Sequence, residues 1–172
     1  SAASPESDFR FKASTGTITS YIGAGGVVVI PETIGGVAVT AIGNNAFYRK
    51  TKITRIIIPD CITSIGSQAF MDCSGLTSVN IPDGITSIER ATFEGCSSLA
   101  GLTLPDSVTS IGQRAFYNCS GLTEINIPDG IISIEEYTFY GCAKLTEIAI
   151  PGTVTSIGNY AFDGCSSLTD IN

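Results

Sequence analysis

The chain has 172 residues, of which 43% are hydrophobic and 15% charged, with a net charge of −7 and a pI near 4.4. This composition predicts one packed domain and excludes an intrinsically disordered chain. The negative charge argues against nucleic acid or an anionic membrane as a partner, and no apolar run reaches the roughly 18 residues that membrane insertion requires.

The N-terminal residues come in two predicted parts. Residues 1–8 are small and polar, which predicts a disordered leader. Residues 9–26 alternate short apolar runs with turn residues, which predicts two or three short strands that cap the first coil of a repeat fold. A phosphate-binding loop at Gly23–Gly26 is disfavoured, because neither a Lys-Ser/Thr pair nor a helical pattern follows it.

A unit of about 23 residues recurs from residue 27 to residue 172, which predicts a solenoid of about six repeats. The first unit carries five extra residues, placed in a bulged loop at Ile34–Gly36, and the last stops in mid-strand. The anchors in register are prolines, phenylalanines and cysteines: Pro59, Pro82, Pro105, Pro128 and Pro151; Phe47, Phe70, Phe93, Phe116, Phe139 and Phe162; Cys73, Cys96, Cys119, Cys142 and Cys165.

Each unit divides into three predicted pieces. The segment L-T-x-I-x-I is a strand that the following proline ends, and copies of it stack into a parallel sheet. The segment I-T-S-I is a short second strand on the opposite wall, and its serines are expected to bond backbone between coils. The segment A/T-F-x-x-C fits one helical or 3-10 turn, with phenylalanine filling the core.

A second period of 46 residues lies within the first. The residue after I-T-S-I alternates between glycine and glutamate, and the residue before phenylalanine alternates between alanine and threonine. We interpret this alternation as duplication with matched packing across coils, without a functional message.

Cysteine and histidine usage argues against catalysis and metal binding. Without histidine the chain has no Ser-His or Cys-His pair and no histidine-ligated metal site. Five cysteines share one column and are predicted to be buried, reduced thiols; zinc binding by the column is disfavoured because no C-x-x-C pair occurs. Cys61 lies out of register and is the predicted exposed thiol. No cofactor, metal or catalytic residue is predicted.

The repeat L-T-x-I-x-I-P-D-x-V-T-S-I-G-x-x-A-F-x-x-C resembles the consensus of the BspA-like bacterial leucine-rich repeats from residue 27 to 172. The resemblance implies a right-handed leucine-rich-repeat superhelix with a parallel β-sheet. It also implies a non-enzymatic, cell-surface or secreted bacterial protein whose repeats bind host or neighbouring-cell proteins. Lys50, where the first cysteine would stand, and Cys61 depart from the pattern.

Two sets of outward positions are predicted to contact a protein ligand. The first is the exposed face of the sheet, where the alternative is a solvated face of Thr and Asn ladders. The second is a group of tyrosines on consecutive coils, where the alternative is simple stacking. The two sets are Asn80, Thr103, Glu124, Asn126, Thr146 and Glu147, and Tyr117, Tyr137, Tyr140 and Tyr160.

The sequence therefore predicts a protein-binding or adhesion module, and the alternative is a structural spacer that holds another domain away from the cell. The chain starts without methionine or an apolar leader, so we expect a mature or truncated form. The open strand at its end predicts a monomer or a weak end-to-end dimer.

Overall fold

Burial of the repeated apolar residues winds the chain into a parallel β-solenoid. The computed structural model describes residues 1–172 and has about 7 turns. Each turn takes ~23 residues, which confirms the coil length that the repeat pattern predicted. We number the coils 1 to 6 by their phenylalanines, Phe47, Phe70, Phe93, Phe116, Phe139 and Phe162.

Two walls of the solenoid are built from short parallel strands. The strands of the main sheet are Gly26–Val29, Ile53–Ile57, Ser78–Val79, Gly101–Leu102, Glu124–Ile125, Glu147–Ile148 and Asp170–Ile171. The strands of the second wall, predicted from I-T-S-I, are Ala41–Ile42, Ser64–Ile65, Ser87–Ile88, Ser110–Ile111, Ser133–Ile134 and Ser156–Ile157.

The third wall, which we call the turn wall, is made of consecutive turns and not of a helix. In coil 2, Met71 N–H donates to Gln68 and Cys73 N–H to Phe70, while Phe70 N–H points away and donates to Thr92 of the next coil. Left-handed backbone at Gln68 and Asp72, each with φ of 58°, breaks the helical succession. The chain's one helical segment is the 3-10 turn Glu6–Asp8, so no helix could cross a membrane.

A spine of aromatic rings fills the interior. Neighbouring phenylalanine rings lie 5.3 to 5.6 Å apart along the column from Phe47 to Phe162. Tyr21 stacks on Phe47 at 5.4 Å and Phe9 packs on Tyr21 at 5.6 Å, so two N-terminal strands that carry these residues extend the spine by two rings. These strands, Phe9–Lys12 and Thr17–Tyr21, form an antiparallel hairpin within the segment predicted as the cap.

Two N-terminal features differ from the sequence predictions. The leader is not frayed over its whole length, because Ser4 N–H donates to Val29 O and Val29 N–H donates to Ser4 Oγ, both at 2.9 Å. The insertion in the first unit forms a β-hairpin, Thr33–Ile34 with Val37–Ala38, where a bulged loop was predicted. Gly35 and Gly36, with φ of 58° and 76°, give its turn the left-handed backbone such hairpins need.

From coil 2 onward, hydrogen bonding between coils alternates between the two strand walls, whereas coils 1 and 2 are bonded on both. Main-sheet ladders join coils 2 and 3 and coils 4 and 5. Second-wall ladders join coils 1 and 2, coils 3 and 4, and coils 5 and 6. The turn wall bonds at each of these junctions; Phe93 N–H, for example, donates to Ala115 O at 2.9 Å. The 46-residue period of the sequence is therefore a period in backbone hydrogen bonding.

This alternation explains the glycine positions. Gly112 N–H donates to Ile88 O at 2.8 Å, which draws coil 4 so close to coil 3 that a Cβ on Gly112 would lie 2.6 Å from Arg90 N. Glu89, the residue at the same place in coil 3, is exposed and accepts the Ser87 hydroxyl at 2.6 Å. The prediction that the serines bond backbone between coils is thus wrong for Ser87 and for Ser133, which donates to Glu135.

Substituting Gly112→Ala should lower the free energy of unfolding by about 1–3 kcal/mol, because the added methyl group meets backbone that cannot rotate away. The matched control is Glu89→Ala, which changes an exposed side chain and should stay within about 0.5 kcal/mol of the parent. Urea unfolding of both variants measures the difference. Equal effects would contradict the assignment of a tight junction between coils 3 and 4.

Candidate functional site

Four tyrosines from coils 4 to 6 form one continuous cluster on the turn wall, which we call the tyrosine patch: Tyr117, Tyr137, Tyr140 and Tyr160. Tyr117 stacks on Tyr140 with ring centroids 4.7 Å apart, and Tyr137 stacks on Tyr160 at 5.2 Å. Tyr137 joins the two stacks through edge contacts to Tyr117 at 6.1 Å and Tyr140 at 5.7 Å. Both the predicted patch and the predicted stacking are therefore present.

The patch remains accessible to solvent. Tyr160 is 58% exposed, and the other three rings are half-buried against one another. The repeat places them because residues 23 apart lie one above the other, so two neighbouring columns of the turn wall carry the four rings over three coils. Clustered exposed aromatic side chains are a common feature of protein interaction surfaces.

A partly buried ion pair lies at one end of the patch. Arg114 donates two hydrogen bonds to Glu94, with Nη2 at 2.7 Å from Oε1 and Nε at 3.0 Å from Oε2. Its guanidinium carbon lies 3.9 Å from the centre of the Tyr117 ring, within range of a cation–π contact. Hydrogen bonding to Glu94, which is only 8% exposed, raises the pKa of Arg114. The pair therefore holds Tyr117 in place and cancels the arginine charge.

Sequence analysis missed Arg114 and Glu94 as members of the patch. The two residues stand in the same two columns as the tyrosines, one coil apart, and carry opposite charges. Opposite charges in neighbouring columns of successive coils could have predicted this ion pair from the sequence.

The structure gives two residues of the predicted sheet face a structural role. Asn126 Nδ2 donates to Leu104 O at 2.8 Å, and Leu104 N–H donates to Asn126 Oδ1 at 2.7 Å. Asn80 makes the same two bonds with Ile58, both at 2.8 Å. Each side-chain amide thus bonds both the backbone N–H and the carbonyl oxygen of one residue in the preceding coil. These two side chains therefore help to join neighbouring coils.

The predicted sheet face, including Asn80 and Asn126, lies along an open groove of about 1090 Å³. Thr103, Glu124 and Glu147 line it, and Gly101 leaves a gap in the row of outward side chains. Thr146 is exposed on the same face. Neither glutamate forms an ion pair, since the two salt bridges of the chain are Arg49–Asp72 and Arg114–Glu94. The groove therefore offers unpaired carboxylates on a floor of mixed polar and apolar side chains, and it contains no stacked aromatic rings.

The cysteine column forms a ladder of thiol hydrogen bonds. Each thiol donates to the carbonyl oxygen of the phenylalanine in the preceding coil, as Cys119 Sγ does to Phe93 O at 3.1 Å. The same bond is made by Cys73, Cys96, Cys142 and Cys165, at 3.0 to 3.2 Å. All six cysteines are free thiols, and Cys61 is half-buried. No group of three histidine, cysteine or acidic side chains converges as a metal site would require.

Comparisons with known proteins agree with the repeat pattern. Residues 40–172 match six copies of the family described as BspA type leucine rich repeat region. No curated protein matches the chain. Leucine-rich repeat solenoids of this kind are generally non-catalytic and commonly bind proteins.

Three bacterial crystal structures resemble the fold. A T. pallidum leucine rich repeat protein is 30% identical, with a TM-score of 0.79 over 98% of this chain and 91% of that one. A leucine rich cell surface protein of Faecalibacterium prausnitzii is 32% identical, with a TM-score of 0.73 over 99% and 54%. A leucine-rich repeat protein of Bacteroides ovatus is 31% identical, with a TM-score of 0.67 over 95% and 51%. The chain thus spans about half the length of the last two.

Substituting Asn126→Ala should lower the free energy of unfolding by about 1–3 kcal/mol, because it leaves the Leu104 N–H and carbonyl without partners. The matched control is Thr103→Ala on the same face, which should change stability by less than about 0.5 kcal/mol. Chemical denaturation measures both. An Asn126 variant as stable as the control would show that the amide is dispensable.

Alkaline pH should destabilise the fold through the buried thiols. Burial raises the pKa of Cys73 from 9.0 to about 12, so the folded state keeps a proton that the unfolded state loses. The contribution of the protonated Cys73 thiol to the free energy of unfolding is fully present below pH 9.0. It is lost as the pH rises from there through about 12.

Urea unfolding under reducing conditions at about pH 8 and about pH 10.5 measures this loss. The Cys73→Ala variant should lose less stability over that interval than the parent. Ser74→Ala, which changes the exposed neighbouring residue, should follow the parent. A Cys73→Ala variant with the parent's pH slope would contradict the prediction.

Proposed function

Because the chain belongs to the family of BspA-type leucine-rich repeat proteins, we propose that it is a non-catalytic protein-binding or adhesion module of a bacterial cell-surface or secreted protein. Its ligand is a protein on the surface of a host or neighbouring cell, and the contact surface is the tyrosine patch. The observation that carries the proposal is the convergence of four tyrosines from three coils into one accessible cluster.

The chemistry of the patch suits protein recognition. Tyrosine combines a large apolar ring with a polar hydroxyl and loses few rotamers on binding, so it is frequent among residues that dominate interface energies. Stacking and the Arg114–Glu94 pair hold these rings before a ligand arrives, which lowers the entropic cost of association. One relative of similar fold is itself described as a cell surface protein, and this supports the same placement here.

The sheet groove serves in this proposal as a second, electrostatic contact. Glu124 and Glu147 are exposed and unpaired, and they share a row with Asp170. Exposed carboxylates of this kind change association rates and salt dependence more than they change affinity. We therefore assign affinity to the tyrosine patch and steering to the groove.

A structural spacer is the second candidate function, and the continuous interior favours it. The aromatic column runs without a gap from Phe9 to Phe162, and the turn wall adds backbone hydrogen bonds at each junction between coils 1 and 6. A rod of this construction would hold an attached domain at a fixed distance. A spacer does not need the tyrosine patch, so the two functions make different predictions for the same variant.

The double substitution Tyr137→Ser/Tyr140→Ser should weaken binding to an extracellular protein ligand roughly 30-fold, since removing central aromatic contacts costs about 2 kcal/mol. Binding is measured by surface plasmon resonance against purified extracellular matrix and cell-surface proteins. The matched variant Glu124→Gln/Glu147→Gln should slow association and reduce its salt dependence while leaving dissociation unchanged.

Thermal melts of both variants provide the control, because both must remain folded at the assay temperature. Binding unchanged in the tyrosine variant, together with a large fall in melting temperature, would assign the tyrosines to stability alone. A parent chain that binds no extracellular protein would favour the spacer.

A further inference from the structure

Tyr117 and Tyr140 hold an arrangement that has chemical consequences beyond binding. Their rings are 4.7 Å apart and inclined by only 8°. The two residues occupy the same place in successive coils, so equivalent ring atoms are separated by about the same distance as the centroids. Two near-parallel phenol rings at this separation are close enough for a bond between their ring carbons to form with small movements of the side chains.

Of the six tyrosines, four form stacked pairs in which equivalent residues of successive coils contact each other. Tyr21 is buried, with 2% of its surface exposed, and its ring neighbours are Phe9 and Phe47. Tyr48 is 37% exposed and contacts Arg49 in place of another tyrosine. The second pair, Tyr137 and Tyr160, is wider at 5.2 Å. The Tyr117–Tyr140 pair is thus the shortest tyrosine contact in the chain.

Arg114 packs against Tyr117, the ring that stacks on Tyr140. Its guanidinium is fixed by two hydrogen bonds to Glu94 and lies against the Tyr117 ring at 3.9 Å. Tyr117 is therefore in contact with this fixed guanidinium and with the Tyr140 ring. Both tyrosines are half-buried, so a small oxidant or an electron acceptor reaches them from solvent while neighbouring side chains limit their rotation.

We propose that Tyr117 and Tyr140 form an oxidative cross-linking site, at which a haem peroxidase with hydrogen peroxide couples the two rings into dityrosine. Each phenol loses one electron and one proton and becomes a neutral phenoxyl radical. The two radicals join through a carbon–carbon bond between their Cε atoms. The ring hydrogens on the joined carbons then move to the phenoxyl oxygens, which restores two aromatic phenols. The two electrons and two protons reduce one hydrogen peroxide to two waters.

The product is a covalent bond between coils 4 and 5. It closes a loop of 23 residues within one chain, and restricting the unfolded chain in this way should raise the melting temperature by about 5–10 °C. A surface exposed to peroxide would thereby become more rigid as it is oxidised. The inference does not depend on a protein partner, because the reaction is measured on the isolated chain.

The test treats the full chain, at low micromolar concentration, with horseradish peroxidase and hydrogen peroxide. Dityrosine fluorescence in the monomer, an intact mass lower by two hydrogen atoms, and a peptide map joining the segments that contain Tyr117 and Tyr140 are the expected results. Tyr117→Phe and Tyr140→Phe keep the stacked rings but remove one phenol each, and either should abolish the product. Tyr48→Phe is the matched control and should react as the parent does.

Two outcomes would overturn the proposal. One is dityrosine found only in covalent dimers, because coupling would then follow collisions between molecules. The other is an intramolecular product that survives Tyr140→Phe, which would assign the reaction to Tyr137 with either Tyr160 or Tyr117. Failure of the cross-link leaves the partner-binding prediction intact, since that rests on the Tyr137→Ser/Tyr140→Ser variant and a different measurement.

Discussion

The structure depends on one constraint: no coil can bury its own phenylalanine. A single turn of 23 residues surrounds the ring at its edge but leaves both faces open, and only the coils above and below can cover them. The spine rings accordingly lie 5.3 to 5.6 Å apart, and those of coils 1 to 5 have no exposed surface. Everything repeated in the sequence serves this stacking. The inward Leu, Ile and Cys columns close the same space, and proline ends each strand so that the chain can turn.

Stacking fixes the distance between coils, and hydrogen bonding then has to fit that distance. The chain does so differently at successive junctions. Where the second wall is bonded, Gly112 brings the coils together; where it is not, Glu89 fits, and the buried Thr92 hydroxyl reaches back towards Gly66 O at 3.4 Å. At that junction the main sheet is bonded, and Asn80 extends its ladder with a side-chain amide. In alternate coils, glycine after I-T-S-I occurs with alanine before the phenylalanine, and glutamate occurs with threonine. Both alternations follow from which wall is hydrogen-bonded at the junction.

The fold could be predicted because burial leaves a direct trace in the sequence: each inward residue recurs in register. Other features left no such trace. The hydrogen bond of Ser4 to Val29 and the hairpin around Gly35 are single events outside the repeat. Asn80 and Asn126 were visible as outward positions, yet their role lies in a bond to the preceding coil, which their own strand does not reveal. The tyrosine patch was predictable because its residues share columns, whereas Arg114 and Glu94 meet on a diagonal.

The side chains of the patch stand on the same left-handed backbone that every coil of the turn wall has. Each coil has two left-handed residues, and the second of them is mostly Gly, Asn or Asp, which tolerate that conformation. The first holds Arg114, Tyr137 and Tyr160 in coils 4 to 6, with φ of 57° to 58°. A left-handed residue with a large side chain costs roughly 1–2 kcal/mol. In these coils the ring stacks and the ion pair supply contacts that offset the cost. The left-handed residues of the patch thus contact each other through their side chains, as Tyr137 does with Tyr160 and Arg114. Side-chain contacts hold the patch together, and the repeat supplies the positions.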